Sequence, residues 1–185
     1  MRLISARLIF RDYAPEDFAL IHAIDADPEV TSMRGGTAIN ESRYRERFQS
    51  ILANQTVTPR QHYDFAVLPH PPQPLIGHCY LHITNIRTGE AEIGYFFHPS
   101  AWGHGFATET SVRLLQFGFD DLHLHRISSG CIATNTASAH VLEKVGMHYE
   151  GRLREDRLTD AGERFDTLLY AILEHEWHNS AGITG

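Results

Sequence analysis

Apolar positions along the chain change period several times, and each change marks an element. Leu3 to Arg11 is a short run with Leu8 and Phe10 two apart, the period of a strand. Asp12 to Pro15 turns the chain. Pro15 suits the first position of a helix, and Glu16 and Asp17 favour its first turn, so a helix is expected to about Asp25. Asp27-Pro28 breaks it, and Val30 to Asn40, with Met33, Gly35 and Gly36, is expected to be loop. Asn40 or Ser42 caps a helix predicted to reach about Ala53. Tyr63 to Leu68 has strand composition, and Pro69, Pro71, Pro72 and Pro74 make a rigid connector after it. Leu75 to Ile86 is the next strand, closed by a hairpin turn at Thr88-Gly89.

The stretch from Gly89 to Phe119 organises the rest. Ala91 to Phe97 is apolar and aromatic, of strand length. His98 to Gly105 is a turn holding Pro99, Gly103 and Gly105. From Phe106 onward Val112, Leu115, Phe119 and Leu122 recur at spacings of three and four, the stripe of an amphipathic helix. Arg126 to Ile132 is a strand. Asn135 caps a further helix carrying Val141, Leu142 and Val145, and Gly146 ends it. His148 to Leu158 and Arg164 to Leu173 are two last strands around a turn at Asp160-Ala161-Gly162. The order β-α-α-β-β-β-α-β-α-β-β predicts a mixed α/β sheet, with antiparallel hairpins early and late and a parallel step across the central helix. No linker is long enough to separate domains, so residues 1–185 read as a single domain.

A strand, a glycine-bearing turn and a helix leave the first helical amides without carbonyl partners. Those amides and the positive end of the helix dipole make a site for a phosphate or other anion. Gly103 and Gly105 permit close approach of a ligand, and the Thr108 hydroxyl can add a hydrogen bond. A Walker loop requires a Gly-Lys-Ser/Thr sequence, and the only lysine is the distant Lys144. A dinucleotide fingerprint requires a third glycine where Thr108 stands. A pyrophosphate held by backbone amides remains, with a turn that binds nothing as the alternative.

Trp102-Gly103-His104-Gly105-Phe106-Ala107-Thr108-Glu109 resembles the acetyl-CoA pyrophosphate loop of the GNAT N-acetyltransferases, in the form found in the RimJ/RimL branch. Asn135-Thr136-Ala137-Ser138, then Val141 to Met147, then Tyr149-Glu150-Gly151 is similar to a second block of that family. Leu8 to Tyr13 followed by Pro15-Glu16-Asp17 is similar to its opening. The resemblance runs from about Arg7 to about Leu173. It implies a central, mostly antiparallel sheet of about seven strands with helices on both faces, splayed in the middle to take acetyl-CoA. It implies transfer of acetyl to a primary amine, either a protein N-terminus or a small molecule, by a monomer or homodimer. The loop between the first two helices, Met33 to Asn40 here, would line the acceptor site. The cofactor-binding residues it implies are Phe96, Phe97 and His98 on the strand edge, Trp102, Gly103, His104, Gly105, Phe106, Ala107 and Thr108 in the loop, and Asn135, Ser138 and Lys144 beyond it. Trp102 departs from the family's usual Gln or Arg, and tryptophan cannot give the same polar contact to the donor. The rival reading is a non-catalytic acyl-CoA-binding module of the same fold.

Composition narrows the partners. Hydrophobic residues are 42% and charged residues 21%, so the chain is globular rather than disordered. No apolar run reaches membrane-span length, and MRLISARLIF lacks a signal peptide's apolar region and cleavage site. Cys79 and Cys131, each inside a predicted strand, read as free buried thiols. The expectation is a cytoplasmic protein without a membrane partner. Net charge is -7, which disfavours nucleic acid and suits a cationic acceptor. Arg43, Arg45 and Arg47 read as a solvated helix face. Of the 13 histidines, His78 and His82 lie four apart in a strand, about 13 Å from one another, too far to share a metal. No metal is expected.

Acetyl transfer requires a neutral amine, hydrogen bonds to the thioester oxygen, and a proton source for the leaving thiolate. An α-amine titrates at about 7.7–8.0, so deprotonating it at neutral pH costs only about 1 kcal/mol, and a modest base suffices. Glu92 is the first candidate base, at a position where family members carry a catalytic glutamate. The alternative is a solvated strand-end carboxylate. His98 and Tyr95 are further candidates. Many members draw the thiolate proton from a tyrosine where this chain has Leu142, and Ser138 is the natural substitute. Neither cysteine is near the loop in sequence, so direct attack without a covalent enzyme intermediate is expected.

Overall fold

The computed structural model describes residues 1–36, 40–71, 73–159 and 162–181. Thr37, Ala38 and Ile39 of the expected acceptor loop, Pro72 of the connector, and Asp160 and Ala161 of the last turn lie outside them.

One sheet of eight strands runs in the order β1-β2-β3-β4-β5-β6-β8-β7. The strands are β1 Arg2–Ile4, β2 Leu8–Asp12, β3 His62–Pro69, β4 Gly77–Asn85, β5 Glu90–Phe97, β6 Arg126–Ile132, β7 His148–Leu158 and β8 Arg164–Leu173. The eighth strand arises because Leu3 to Arg11 is two strands rather than one. Ser5 reverses the chain: its amide donates to the Leu8 carbonyl at 2.9 Å, and Leu3 then pairs with Phe10. All neighbours are antiparallel except β5 and β6, which are parallel.

The helices are α1 Phe18–Ala26, α2 Pro28–Ser32, α3 Glu41–Asn54, α4 Phe106–Gln116, α5 Thr136–Lys144 and α6 Glu174–Ala181. Pro15 opens a short 3-10 turn that runs into α1. Asp27-Pro28 ends α1 and also starts α2, where a loop was expected. The Asp27 carboxylate caps the Glu29 amide at 2.8 Å with Pro28 in the first helical position, two helix-starting features in one dipeptide. The terminal helix α6 was likewise not expected from the pattern.

The main core lies between the sheet and α4 and α5, with Phe10, Phe65, Leu81, Ile93, Leu114, Leu115, Ile127 and Leu142 among its buried members. A second cluster, with Tyr13, Ile21, Ile24, Tyr44 and Phe48, lies under α1 and α3 on the other face. After α4 the chain makes a π turn, Phe117–Asp121, and Leu114 and Phe117 are buried beside Leu115 and Phe119 of the expected stripe. Gly118 packs closely there: a Cβ would lie 2.4 Å from Ile127 Cδ1, and that side chain would have to shift.

Candidate active site

The sheet divides between β5 and β6. They pair only from Glu90 to Glu92, against Arg126 to Ser128. The Ser129 hydroxyl still donates to the Ile93 carbonyl at 2.9 Å, and beyond that the strands part. Each keeps its other neighbour: β5 stays with β4 up to Phe97 and Gly77, and β6 stays with β8 up to Ile132 and Thr167. The gap opens a cleft of about 890 Å³.

At one end lies the glycine turn. Gly103 and Gly105 both have positive φ, 75° and 77°. A Cβ on Gly103 would meet nothing within 4 Å, so the backbone is open to a ligand there. Gly105 is the N-cap of α4, and Phe106, Ala107 and Thr108 form the first turn. Arg7, which the sequence reading missed, holds this turn in shape. Its Nη1 donates to the His104 carbonyl at 3.0 Å, its Nε donates to Glu109 at 2.7 Å, and its guanidinium lies over Phe106. The Ser5 hydroxyl and Arg7 amide also donate to Glu109, both at 2.7 Å. Burial would raise the Glu109 carboxyl, but these donors outweigh it and hold it below its usual value. Trp102 braces the entry: its indole N–H donates to the Phe97 carbonyl at 2.9 Å. The tryptophan therefore serves the strand end.

At the middle, Tyr95 and Ser138 meet across the gap, hydroxyl to hydroxyl, at 3.0 Å. Burial pushes Tyr95 up to about 12, so it stays protonated at neutral pH. Asn135 caps α5 by accepting the Ser138 amide at 3.0 Å, and its own amide donates to the Met33 carbonyl at 3.3 Å. This ties the start of α5 to the segment that follows α2. Cys131 lines the cleft beside Ser138, although it is remote from the loop in sequence. Burial raises its thiol, which leaves little thiolate for nucleophilic attack.

At the far end lies Glu92. The Tyr80 hydroxyl donates to Glu92 Oε1 at 2.9 Å. Tyr80 reaches it by crossing Gly94, where a Cβ would lie 2.4 Å from the ring. Tyr80 stacks on His82 at 4.4 Å, and His82 Nε2 lies 3.0 Å from Asp64. Burial, then the nearby Glu92, raises Tyr80 well above the ordinary phenol value.

A buried knot sits behind this end. Asp25 accepts from Tyr44 at 2.7 Å and lies 2.9 Å from both His78 and Arg34. Phe96 lies between the His78 ring, at 5.0 Å, and the Arg34 guanidinium, at 4.5 Å. Burial would raise Asp25, but His78 first, then Arg34 and Tyr44, hold it well below the usual carboxylate range.

The cleft thus brings together Glu92, Phe96, Phe97, Trp102, Gly103, Gly105, Phe106, Ala107, Thr108, Asn135 and Ser138. Three residues implied by the resemblance stand outside its lining. His98 is exposed and caps the turn at Ser100 through Nδ1. The His104 ring bonds the Trp102 carbonyl and stacks on Phe106. Lys144 is exposed in the last turn of α5, at the opposite end of that helix from Ser138. Leu142, at the family's tyrosine position, is fully buried in the core. Arg47 is exposed on α3, as are Arg43 and Arg45, and it also lines the cleft. The residues missed were Arg7, Tyr80, His82, Arg34 and Arg47. The alternation of β4 placed Tyr80 and His82 on one face; register against β5 was the missing information. Among the described residues, no group of three or more His, Cys, Asp or Glu side chains is placed to hold a metal.

Residues 7–148 match the acetyltransferase (GNAT) domain family. The chain belongs to the GNAT acetyltransferases. It is similar to the N-acetyltransferase p20 of Bacillus licheniformis, 31% identical over 95% of this chain and 97% of that one. N-acetyltransferase YnaD of Bacillus subtilis is 28% identical over 96% of this chain and 100% of its own length. Among solved structures, a GNAT-family acetyltransferase from Bacillus anthracis superposes with a TM-score of 0.79 at 27% identity, covering 95% of this chain and 99% of that one. The spermidine N-acetyltransferase of Vibrio cholerae, solved with CoA and spermine, shares the fold at a TM-score of 0.80 and 24% identity, over 95% and 100% of the two chains. GNAT acetyltransferases draw acetyl from acetyl-CoA. The open turn at Gly103, the start of α4 and the unpaired strand edge at Tyr95 fit such a donor.

Proposed function

We propose that this GNAT acetyltransferase moves acetyl from acetyl-CoA to the primary amine of a small molecule by direct attack within a ternary complex. The observation that carries this is one continuous cleft with an open helix N-terminus at one end, a hydroxyl pair at the middle and a carboxylate at the other. The pyrophosphate lies on the amides of Gly103 to Thr108, where backbone donors and the helix dipole meet it. The backbone groups of Tyr95 that face the gap lack a strand partner and pair with the pantetheine.

Glu92 receives the amine's proton, directly or through a water, while Tyr80 fixes the carboxylate. The neutral nitrogen attacks the thioester carbon, the C–N bond forms, and the C–S bond breaks. Ser138, backed by the Tyr95 hydroxyl, donates a hydrogen bond to the departing sulfur. The free thiol titrates near about 8.5, well below Tyr95 at about 12. Full proton transfer from the tyrosine is therefore uphill, and the pair stabilises the thiolate until the proton released by the amine reaches it. The products are an acetamide and CoA.

The preference for a small amine rests on the acceptor end. Gly35 and Gly36 lie close to Phe165 and Thr159 of the β7–β8 region, at 3.6 and 3.8 Å from an ideal Cβ. The segment after α2 and the β7–β8 end approach one another there beside the cleft, which suits a small acceptor better than a through-running peptide. Thiol release from acetyl-CoA, measured across small amines and short peptides, tests the proposal. Faster turnover with small amines is expected, and turnover confined to peptide N-termini contradicts the small-amine assignment.

A further inference from the structure

The acceptor end carries charges that acetyl transfer itself does not use. The charged side chains lining the cleft are Arg34, Arg47, Glu92, Asp156 and Arg157, three guanidiniums to two carboxylates. The whole chain has 16 basic and 23 acidic residues, so the cleft reverses the overall sign. Arg34 is matched by buried Asp25 at 2.9 Å. Among the described residues, the one carboxylate paired with Arg157 is Asp156, at 3.8 Å near solvent, a pairing that counts for little in water. Its other contact is a long one, 3.4 Å from Nε to the Thr167 hydroxyl. Among the described residues, no carboxylate lies within ion-pair distance of Arg47. Arg47 comes from α3, which packs on β3, and Arg157 from β7, beyond the gap. Arg47, Arg157, Tyr80 and Glu92 all line the one cleft, and the Tyr80 hydroxyl donates to Glu92 there. Under-matched guanidiniums facing a cleft are the counterpart of an anion. They repel the second ammonium of a polyamine.

We infer that the acceptor is an amine that also bears a carboxylate, with Arg47 and Arg157 gripping the carboxylate while Glu92 faces the amine. A free amino acid is the simplest such molecule. This rests on the acetyl-transfer reading above.

Acceptors are compared in matched pairs that differ only at the anion. One pair is an amino acid and its carboxamide; the other is a C-terminally amidated peptide with Asp or Asn after its first residue. Spermidine is a separate acceptor. The carboxylate member is expected to win by at least about tenfold in kcat/KM. R47Q and R157Q each remove that preference through the acceptor KM and leave the KM for acetyl-CoA unchanged. Preference in the amino-acid pair assigns the carboxylate to a small molecule, and preference in the peptide pair assigns it to an acidic side chain. Calorimetric titration of the CoA-bound protein with the N-acetyl amino acid and with its amide reads binding without turnover, and heat is expected from the acid only. Equal handling of acid and amide, preference for spermidine, or a changed acetyl-CoA KM in the variants overturns the inference while acetyl transfer stands. No transfer to any amine together with no binding of either product overturns both.

Discussion

Ser138 and Glu92 carry the chemistry proposed here, and each depends on one neighbour. Ser138 is held by the Asn135 cap and the Tyr95 hydroxyl. A hydrogen bond to a developing charge is worth about 1.5–3 kcal/mol, so Ser138→Ala is expected to lower kcat by roughly 10- to 100-fold. The KM for acetyl-CoA should barely move; steady-state kinetics would read this split. Tyr80→Phe removes the donor to Glu92 and is expected to change the pH profile of kcat/KM more than its plateau. An unchanged profile would detach Tyr80 from the base. Asp25 supports the same end of the cleft. Its folded-state value lies below the unfolded value of about 3.9, so its stabilisation is complete above about pH 4 and is lost as pH falls towards the folded value. Asp25→Asn strands buried partners and is expected to cost about 3 kcal/mol near neutral pH. It should also flatten the acid limb of the stability curve, a change visible by urea unfolding across pH. Of these residues, the places of Glu92 and Ser138 in the cleft were legible because they sit in stretches similar to the family's motifs. Tyr80 and Asp25 were not, because their roles depend on which strand lies beside β5 and on a contact made across 53 positions of sequence.

Among the elements, the turn into α4 depends on the first hairpin. Arg7, in the turn between β1 and β2, bonds the His104 carbonyl and Glu109 and lies over Phe106. Arg7→Ala frees the turn, and its expected effect is a several-fold rise in the KM for acetyl-CoA with kcat largely retained. A loss confined to kcat would contradict this role. The central strand, turn and helix were legible because β5 is an apolar, aromatic run of strand length, the turn holds Pro99 and two glycines, and α4 repeats at helical spacing. The β1–β2 hairpin was not, since the turn at Ser5 carries no Gly, Pro, Asn or Asp to mark it and Leu3 to Arg11 is short enough to read as one strand. Asp27-Pro28 was read as a break only, although Asp and Pro together also start a helix. The π turn after α4, which buries Phe117 as well as Phe119, is not foreseen by a helical period.

At the scale of the whole molecule, the sheet works by dividing. β5 and β6 each keep an outer partner, so the gap between them leaves few backbone groups unpaired and leaves room for a long ligand. Charge is divided as well: the chain is acidic overall, with net charge -7, while the cleft carries more arginines than carboxylates. The overall charge suggested a cationic acceptor, and the cleft points the other way, because net charge says nothing of where each residue faces. No helix among the described residues is long and apolar enough to cross a membrane. The central claim is that the glycine turn and the gap form one acetyl-CoA site. Thermal unfolding with acetyl-CoA, with NAD and with ATP tests it most directly. At about 100 times its dissociation constant, a specific ligand adds about 2.7 kcal/mol, a rise of roughly 5–10 °C for a chain of this size. The account predicts that rise with acetyl-CoA alone. No rise with acetyl-CoA, or an equal rise with NAD, would contradict it.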